Sequence, residues 1–243
     1  MILFFVVVGL GLGEDLCVQP GDVFDVGGVE LHVGDLAGFG TFGKVYRGQY
    51  GSKLVAVKTE KEPNTEGDMV HEYLMMELMQ TSVGFPKVFA KDFTRACKFY
   101  VMEFLGVSLK YLHRNRLEWD IAILAPIALE MLACIETLHT KGYIMRDVHA
   151  GNFMLFEGRV YAIDLALAVE ISDTFSRKDD LGGWWNVLHD FLNPEFASHM
   201  DDVVWRTLMI PSYEYIVELR PNAVPDYALL KCLFVPFISP PAV

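Results

Sequence analysis

The sequence predicts an α+β fold in two lobes around a cleft, with an antiparallel β-sheet and one main helix first and mainly helices after it. Apolar and polar residues alternate, with frequent glycine, over Val23 to Lys58, and a period of two is typical of antiparallel strands joined by tight turns. Over roughly Asp120 to Thr140, apolar residues recur at steps of three and four, which is typical of a helix with one buried face. The composition changes from strand-like to helical near Leu105, so we divide the chain into lobes of residues 21–105 and 106–243.

The composition is that of a folded protein with a large core. Of 243 residues, 52% are hydrophobic and 21% are charged, which argues against disorder. The formal net charge of −12 argues against an extended surface for nucleic acid or anionic membranes, because phosphate contacts need clustered lysine and arginine. We therefore expect no nucleic-acid partner.

The cysteines are far apart in the sequence, at Cys17, Cys97, Cys134 and Cys232. They form no Cys-x-x-Cys pair and no cluster with histidine, a pattern that predicts unpaired buried thiols and no structural zinc. Unpaired thiols are typical of a reducing compartment, so we expect a cytoplasmic or nuclear protein.

Residues 1–20 form an apolar N-terminal extension of unclear role. The run from Ile2 to Leu12 is too short to span a membrane as a helix and lacks the basic start of a signal peptide. A secretory signal, a packed β-type segment and an extension without a folded role all remain open. No other stretch has the pattern of a membrane span, so we expect no membrane partner.

A glycine-rich hairpin precedes a lysine-bearing strand. The run Gly38-Phe39-Gly40-Thr41-Phe42-Gly43-Lys44-Val45 is followed by a strand that ends at Lys58, not by a helix, which separates it from the dinucleotide-binding fingerprint. Missing side chains let backbone N–H groups approach phosphate oxygens closely. Taken alone, the glycines indicate a turn and Lys58 a solvated lysine. Together, at this spacing, they predict a phosphate cradle.

The next elements are a helix and a connecting strand. Asp68 to Gln80 is rich in Met, Leu and Glu and predicts a helix. On it, Glu72 lies fourteen residues after Lys58 and could pair with it; Glu77 is the substitute, and a solvated carboxylate is the other interpretation. The aromatic-rich strand that starts at Lys98 suits a connector between the lobes.

A loop after the long helix carries the acidic chemistry. Asp147 precedes Asn152 by five residues, and phosphoryl transfer needs one carboxylate near the attacking hydroxyl and one amide oxygen on the metal. A hairpin follows, and Asp164 stands at the end of its second strand. A carboxylate there could reach the cleft and bind Mg²⁺.

In this order, the motifs resemble a eukaryotic protein kinase, and more narrowly the casein kinase I and tau-tubulin kinase group. The resemblance covers about Gly21 to Phe234. The narrower similarity rests on five runs: Val101-Met102-Glu103-Phe104-Leu105-Gly106-Val107-Ser108-Leu109, Arg146-Asp147-Val148, Gly151-Asn152-Phe153, Ser176-Arg177-Lys178-Asp179-Asp180-Leu181 and Pro225-Asp226-Tyr227-Ala228-Leu229-Leu230.

The resemblance implies ATP and Mg²⁺ as cofactors and a nucleotide and a protein as binding partners. The residues it assigns to the nucleotide cover the phosphates, line the pocket or face the adenine: Gly38, Gly40 and Gly43; Val45, Ala56 and Met102; Glu103 and Leu105.

For catalysis, the resemblance implies that Lys58 holds the α- and β-phosphates while pairing with Glu72. Asp147 would accept the proton of the substrate hydroxyl, and Asn152 and Asp164 would hold the metal ions.

Several neighbouring residues depart from the family pattern. Met145 and Leu165 replace a histidine and a phenylalanine, and with Met76 they could still form an apolar column. His149 replaces a lysine that faces the transferring phosphate, and a neutral histidine stabilises that charge less. Ala166 replaces a glycine and would be strained if its φ were positive.

The segment after Asp164 is short. Fifteen residues separate it from Asp180, which we match to the start of the central helix, and no Ala-Pro-Glu lies between them. Gly182 and Gly183 follow, at about 1 kcal/mol each relative to alanine in a helix. The alternative register uses Asn193-Pro194-Glu195 as the missing motif, with Asp202 opening the central helix.

Three functions remain in competition. The first is an active kinase that phosphorylates Ser or Thr in proteins. The second is a catalytically impaired pseudokinase that acts as a nucleotide-binding interaction module. The third is an incomplete form of an active kinase. Arg177 and Lys178 are either a basic patch for substrate or a solvated charge pair at a helix start.

Overall fold

The structure, a computed structural model, describes residues 17–40, 43–62, 68–115, 119–192 and 202–238. The apolar run that starts at Ile2 and the Asn193-Pro194-Glu195 stretch lie outside the described residues. The division into lobes near Leu105 stays a prediction.

The first part of the chain is a six-stranded antiparallel sheet with one helix. The strands pair in the order β1-β2-β3-β4-β6-β5. Helix α1 lies between β4 and β5 in the sequence. The bounds are β1 (Val23–Val26), β2 (Val29–Phe39), β3 (Lys44–Tyr50), β4 (Lys53–Thr59), α1 (Asp68–Met79), β5 (Val88–Asp92) and β6 (Phe99–Glu103).

Alternation along β4 and β6 divides side chains between the two faces of the sheet, because successive residues of a strand point to opposite faces. One face forms a small core that includes Val55, Val57 and Val101. The other face carries Ala56 and Met102 and packs into the large core with α1. Lys58 follows Ala56 by two residues, so β4 directs it to the face on which α1 lies.

The rest of the chain is mainly helical, with short strands beside the helices. The two small sheets are ordered β10-β9-β7 and β11-β8. The bounds are β7 (Val107–Ser108), α2 (Leu109–Arg114), α3 (Ile121–Thr140), β8 (Tyr143–Ile144), β9 (Phe153–Phe156), β10 (Arg159–Ala162), β11 (Val169–Glu170), α4 (Arg177–Phe191), α5 (Asp202–Val204), α6 (Ile210–Glu218) and α7 (Tyr227–Cys232). A π-helical turn, Trp205–Met209, joins α5 to α6.

The predicted long helix is confirmed as α3. Asp120 caps it, because its side chain accepts the Ile123 backbone N–H at 2.8 Å, and Pro126 lies inside the helix without ending it. The 20-residue helix is long and apolar enough to cross a membrane by length and composition alone. Half of it is buried inside the protein, which is the environment of a core helix.

The central helix confirms the first of the two registers. Helix α4 begins at Arg177, where the Asp179 carboxylate accepts the Ser176 backbone N–H at 3.0 Å, and Asp180 is buried in its first turns. Asp202 instead opens the later helical run of α5, the π-helical turn and α6. Only twelve residues, of which two form β11, therefore lie between Asp164 and α4.

The prediction of four unpaired thiols is wrong for one pair. Cys17 and Cys97 form a disulfide with a Cα–Cα distance of 4.9 Å, whereas Cys134 is free and buried and Cys232 is free and exposed. The two residues are 80 positions apart, and only the tertiary structure brings them together. The spacing of the cysteines is therefore no longer an argument for a reducing compartment.

Candidate active site

A cleft of about 650 Å³ lies between the sheet and the helical part of the chain. Its walls come from β2, β3, β4 and β6, from the connector to α2 and from the loop that carries Asp147. All the residues predicted for the site line this cleft: Gly38, Gly40, Gly43, Val45, Ala56, Lys58, Glu72, Met102, Glu103, Leu105, Asp147, Asn152 and Asp164. Their chemical roles stay predictions, which the geometry below supports to different degrees.

Lys58 and Glu72 form the buried ion pair that the sequence predicts. Lys58 Nζ lies 2.5 Å from Glu72 Oε1, and both residues are buried. The same oxygen accepts the Tyr100 hydroxyl at 3.0 Å. Glu77, the predicted substitute, accepts the Tyr73 hydroxyl instead. The pair places a lysine ammonium in the cleft and holds it against α1.

The pKa values of this pair follow from burial and mutual attraction. Burial lowers the pKa of Lys58, but the carboxylates of Glu72 and Asp164 outweigh that effect, so the pKa lies above its ordinary value. Burial raises the pKa of Glu72, and the charge of Lys58 opposes the rise. Lys58 is consequently a permanent cation at physiological pH.

Asp164 has the features of a metal ligand. Its Oδ1 lies 3.2 Å from Lys58 Nζ, yet this buried atom has no hydrogen bond of acceptable geometry among the described residues. The Lys58 ammonium balances the charge of this oxygen, and the hydrogen bond that it lacks leaves it able to join a metal ion. Asp164 itself adopts a positive φ of 59°. Ala166, whose φ the sequence left in question, is not among the residues with positive φ, so the expected strain does not arise there.

Asn152 lies beside Asp164 with its amide oxygen available. Its Nδ2 donates to the backbone oxygen and to Oδ2 of Asp147, each at 3.0 Å, and its backbone oxygen accepts the Ile163 N–H at 2.9 Å. No group of three or more His, Cys, Asp or Glu side chains suited to a metal occurs in the described ranges. Mg²⁺ here would complete its coordination with phosphate oxygens and water, as this ion commonly does.

Asp147 has one oxygen occupied and one available. Oδ2 accepts Asn152 Nδ2 and lies 3.4 Å from His149 Nε2. His149 Nδ1 accepts the Gly151 backbone N–H at 2.9 Å, which favours the tautomer with hydrogen on Nε2. The ring lies beside the Asp147 carboxylate without a hydrogen bond to it, and Oδ1 of Asp147 accepts no hydrogen bond from the described residues.

A buried network fixes the backbone just before Asp147. Asp180 accepts the backbone N–H of Met145 at 2.7 Å and that of Arg146 at 2.8 Å. It also lies 2.8 Å from His139 Nε2, and the other ring nitrogen of His139 bonds to the Tyr227 hydroxyl. Because a carboxylate only accepts, Nε2 donates to Asp180, and in the neutral ring Nδ1 accepts from Tyr227.

The glycines of the hairpin act in two ways. A Cβ on Gly43 would lie 2.4 Å from the Thr59 backbone oxygen, so only glycine permits this approach of β3 to β4. A Cβ on Gly38 or Gly40 would meet nothing within 4 Å. Contacts with the described residues therefore do not require glycine at these two positions, and a position without a side chain suits a backbone that approaches phosphates.

Apolar residues and α1 support the site from behind. Met76, Met145 and Leu165 are all buried in the same core cluster, as the predicted apolar column requires. His71, which precedes Glu72 on α1, donates Nε2–H to the Ala168 backbone oxygen at 2.7 Å. This bond joins α1 to the segment that follows Asp164.

Three further basic residues differ in their position relative to the cleft. Lys178 Nζ donates to the Val217 backbone oxygen at 2.6 Å, and neither Lys178 nor Arg177 lines the cleft. The choice between a basic patch for substrate near the cleft and a charge pair at the helix start stays a prediction. Lys110, which the sequence analysis did not consider, does line it. Lys110 directly follows Leu109, the last residue of a run on which the family resemblance rests, and this position could have drawn attention to it.

Comparisons with known proteins agree with this geometry. A family model described as "Protein kinase domain" matches residues 31–196. Casein kinase I homolog 3 of Schizosaccharomyces pombe is 28% identical over 161 residues, which cover 61% of this chain and 36% of the relative. Casein kinase I homolog 2 of the same organism is 28% identical over 156 residues, which cover 58% of this chain and 34% of the relative. The chain spans about a third of the length of these relatives. With a family model that covers most of its length, the chain belongs to the protein kinase family.

Proposed function

We propose that this chain transfers the γ-phosphate of ATP, with Mg²⁺, to Ser or Thr of a protein substrate. The observation that carries the proposal is the buried Lys58–Glu72 pair at 2.5 Å, in the same cleft as Asp147 and Asp164. The proposal is also supported by the two relatives, which are both named casein kinase I homologs.

The residues of the cleft divide the work of phosphoryl transfer. Mg²⁺ and ATP, when bound, supply the transferable phosphate and neutralise part of its charge. Lys58, held by Glu72, positions its ammonium for phosphate oxygens, and the glycine-rich hairpin lines the same cleft. The Asn152 amide oxygen and Asp164 Oδ1 are available as metal ligands.

Asp147 is the base in this proposal. Its Oδ2 is occupied by Asn152, so Oδ1 accepts the proton of the attacking hydroxyl as the new O–P bond forms. The Asp180 carboxylate fixes the position of the base through the backbone N–H groups of Met145 and Arg146. A base held in this way needs no reorganisation when the substrate arrives.

The second candidate is a nucleotide-binding interaction module with little transfer activity. Two observations favour it. His149 stands where the resemblance implies a lysine, and its ring accepts the Gly151 backbone N–H; only twelve residues connect Asp164 to α4. So short a connection leaves little chain to form a platform for a peptide substrate.

Transfer of labelled γ-phosphate to a generic protein substrate tests the proposal. Asp147→Asn keeps the shape of the side chain but removes the base, so we expect a loss of about 10² to 10⁴ in rate. Asp190→Asn, at a side chain with 71% exposure on α4, is the matched control and should keep the rate.

Thermal stabilisation by ATP and Mg²⁺ separates the two candidates. Both predict a rise in Tm with nucleotide, and Asp147→Asn should preserve it. A wild-type protein that shows this rise but transfers no phosphate is the interaction module. An Asp147→Asn variant as active as the wild type would show that Asp147 is not the base.

A further inference from the structure

We propose that Lys110 supplies the positive charge that the catalytic loop lacks, by binding the terminal phosphate of the nucleotide beside His149. The inference rests on the proposed nucleotide site, and it gives a role to a residue on α2, outside the loop in which such a cation was expected.

His149 does not supply this charge itself. Its Nδ1 accepts the Gly151 N–H at 2.9 Å, and its Nε2 lies 3.4 Å from Asp147 Oδ2. One ring nitrogen is therefore used by the backbone of the loop, and the other lies beside the base. The ring is held against the loop by this bond, and it lacks the reach of the lysine that the resemblance implies at this position.

Lys110 approaches the same part of the loop. It lies in the first turn of α2 and is exposed to the cleft, which it lines together with Asp147 and Asn152. Its Cδ would lie 3.5 Å from a Cβ placed on Gly151, and the His149 ring would lie 2.8 Å from the same atom. The lysine stem and the imidazole thus both lie next to Gly151, at the wall of the cleft that Lys110 lines.

The charges of the cleft favour an anionic ligand for Lys110. The carboxylates that line the cleft outnumber its lysines: Glu72, Glu103, Asp147 and Asp164 against Lys58 and Lys110. Lys58 is paired with Glu72 and lies 3.2 Å from Asp164. Of the two, Lys110 is the one with no ion pair among the described residues. An ammonium without a carboxylate partner, beside the base and a metal ligand, is placed for a terminal phosphate.

Nucleotide affinity tests the proposal without any need for turnover. Binding of β,γ-imido-ATP and of ADP, each with Mg²⁺, is measured by calorimetry for wild type and Lys110→Ala. We expect Lys110→Ala to weaken the triphosphate analogue about tenfold while ADP changes little, because one charge-assisted contact is lost. Lys110→Arg should keep most of the preference. Lys141→Ala, at an exposed lysine after α3 and outside the cleft, is the matched control.

A lysine restored to the loop provides the second arm. In the double variant Lys110→Ala with His149→Lys, we expect the preference for the triphosphate to return, since the new ammonium replaces the lost one. The rate of transfer should recover in parallel through kcat, with KM for the protein substrate unchanged.

The outcomes separate this inference from the proposed function. If Lys110→Ala weakens ADP and the triphosphate equally, or leaves both unchanged, Lys110 does not bind the terminal phosphate, whether or not the wild type transfers phosphate. If the preference depends on Lys110 but the wild type transfers none, the inference stands and the kinase activity fails. A double variant that folds but does not regain the preference also overturns the inference.

Discussion

Replacing Gly183 by alanine tests how closely the central helix packs against the catalytic loop. A Cβ on Gly183 would lie 2.7 Å from both Cβ and the backbone oxygen of Val148, which follows the proposed base Asp147. Gly182, its neighbour in α4, would place a Cβ within 4 Å of nothing. The same substitution at two adjacent positions therefore differs only in what the new methyl group meets.

The two positions should respond with opposite signs. Alanine replaces glycine in a helix interior with a gain of about 1 kcal/mol, so Gly182→Ala should raise Tm by about 2–4 °C for a chain of this size. At Gly183 the overlap costs about 1–3 kcal/mol because a backbone atom must move. The net result is a loss of about 1 kcal/mol at the middle of that range, and Tm should fall by about 2–4 °C.

Gly183→Ala should lower the rate of phosphate transfer more strongly than it lowers stability, because it displaces the loop that carries Asp147. Relief of the overlap displaces Val148 and with it Asp147, and a misplacement of about 1 Å can cost 100-fold in rate. We expect kcat of Gly183→Ala to fall about tenfold or more, while Gly182→Ala keeps the wild-type rate. Scanning fluorimetry gives Tm, and γ-phosphate transfer gives kcat.

A Gly183→Ala protein that is stabilised like Gly182→Ala, with an unchanged rate, would refute the reasoning. It would mean that α4 and the loop are not in the contact described above. Gly182 has no close packing contact with the described residues that would require glycine. Its effect on stability is therefore the cost of a glycine inside a helix.

Two further predictions concern buried polar networks. Lys58→Met leaves Glu72 without its cation, and we expect about 3 kcal/mol less stability at pH 8 by urea unfolding. Burial raises the pKa of Glu72, and the charge of Lys58 opposes that rise, so the Glu72 carboxyl protonates more readily in the variant. A group whose pKa is raised in the folded state loses its stabilising effect as the pH rises through that pKa. The loss of stability in Lys58→Met should therefore become smaller from pH 8 toward pH 5. Tyr227→Phe leaves the buried His139 without its hydroxyl partner, which should cost about 1–3 kcal/mol in the same assay.

Controls and contrary results differ for the two variants. A deficit of Lys58→Met that stays constant or grows between pH 8 and pH 5 would contradict the assignment of the effect to an unpaired Glu72. For the second, Tyr213→Phe removes a hydroxyl from a tyrosine with 50% exposure on α6 and should leave stability within about 0.5 kcal/mol. Equal losses in the two tyrosine variants would show that the bond to His139 contributes nothing specific.

Local patterns predicted the elements of the fold and most of the cleft. Alternation along Lys53 to Lys58 and the helical period up to Thr140 are properties of single elements, and β4 and α3 follow them closely. The pairing of Lys58 with Glu72 was predictable because two ordered motifs fix which strand and which helix meet. The order of the motifs along the chain is enough to predict such contacts once the fold is recognised.

Contacts that cross the fold without a motif escaped prediction. The disulfide between Cys17 and Cys97 joins residues 80 positions apart, and no local spacing encodes such a pair. His139, in the last turn of α3, received no role from the sequence, yet it connects Tyr227 to Asp180. Both depend on which side chains the packed elements bring together, and periodicity carries no information about that.

The bond between His71 and Ala168 has a consequence for motion. His71 precedes Glu72 on α1, and Ala168 lies four residues after Asp164. A rotation of α1 that withdraws Glu72 from Lys58 would either break this bond or move the segment that follows Asp164. The positions of Glu72, which pairs with Lys58, and of the proposed metal ligand Asp164 are consequently coupled. Loading the cleft with a divalent cation should slow amide hydrogen exchange in α1 even though no atom of the ion touches that helix.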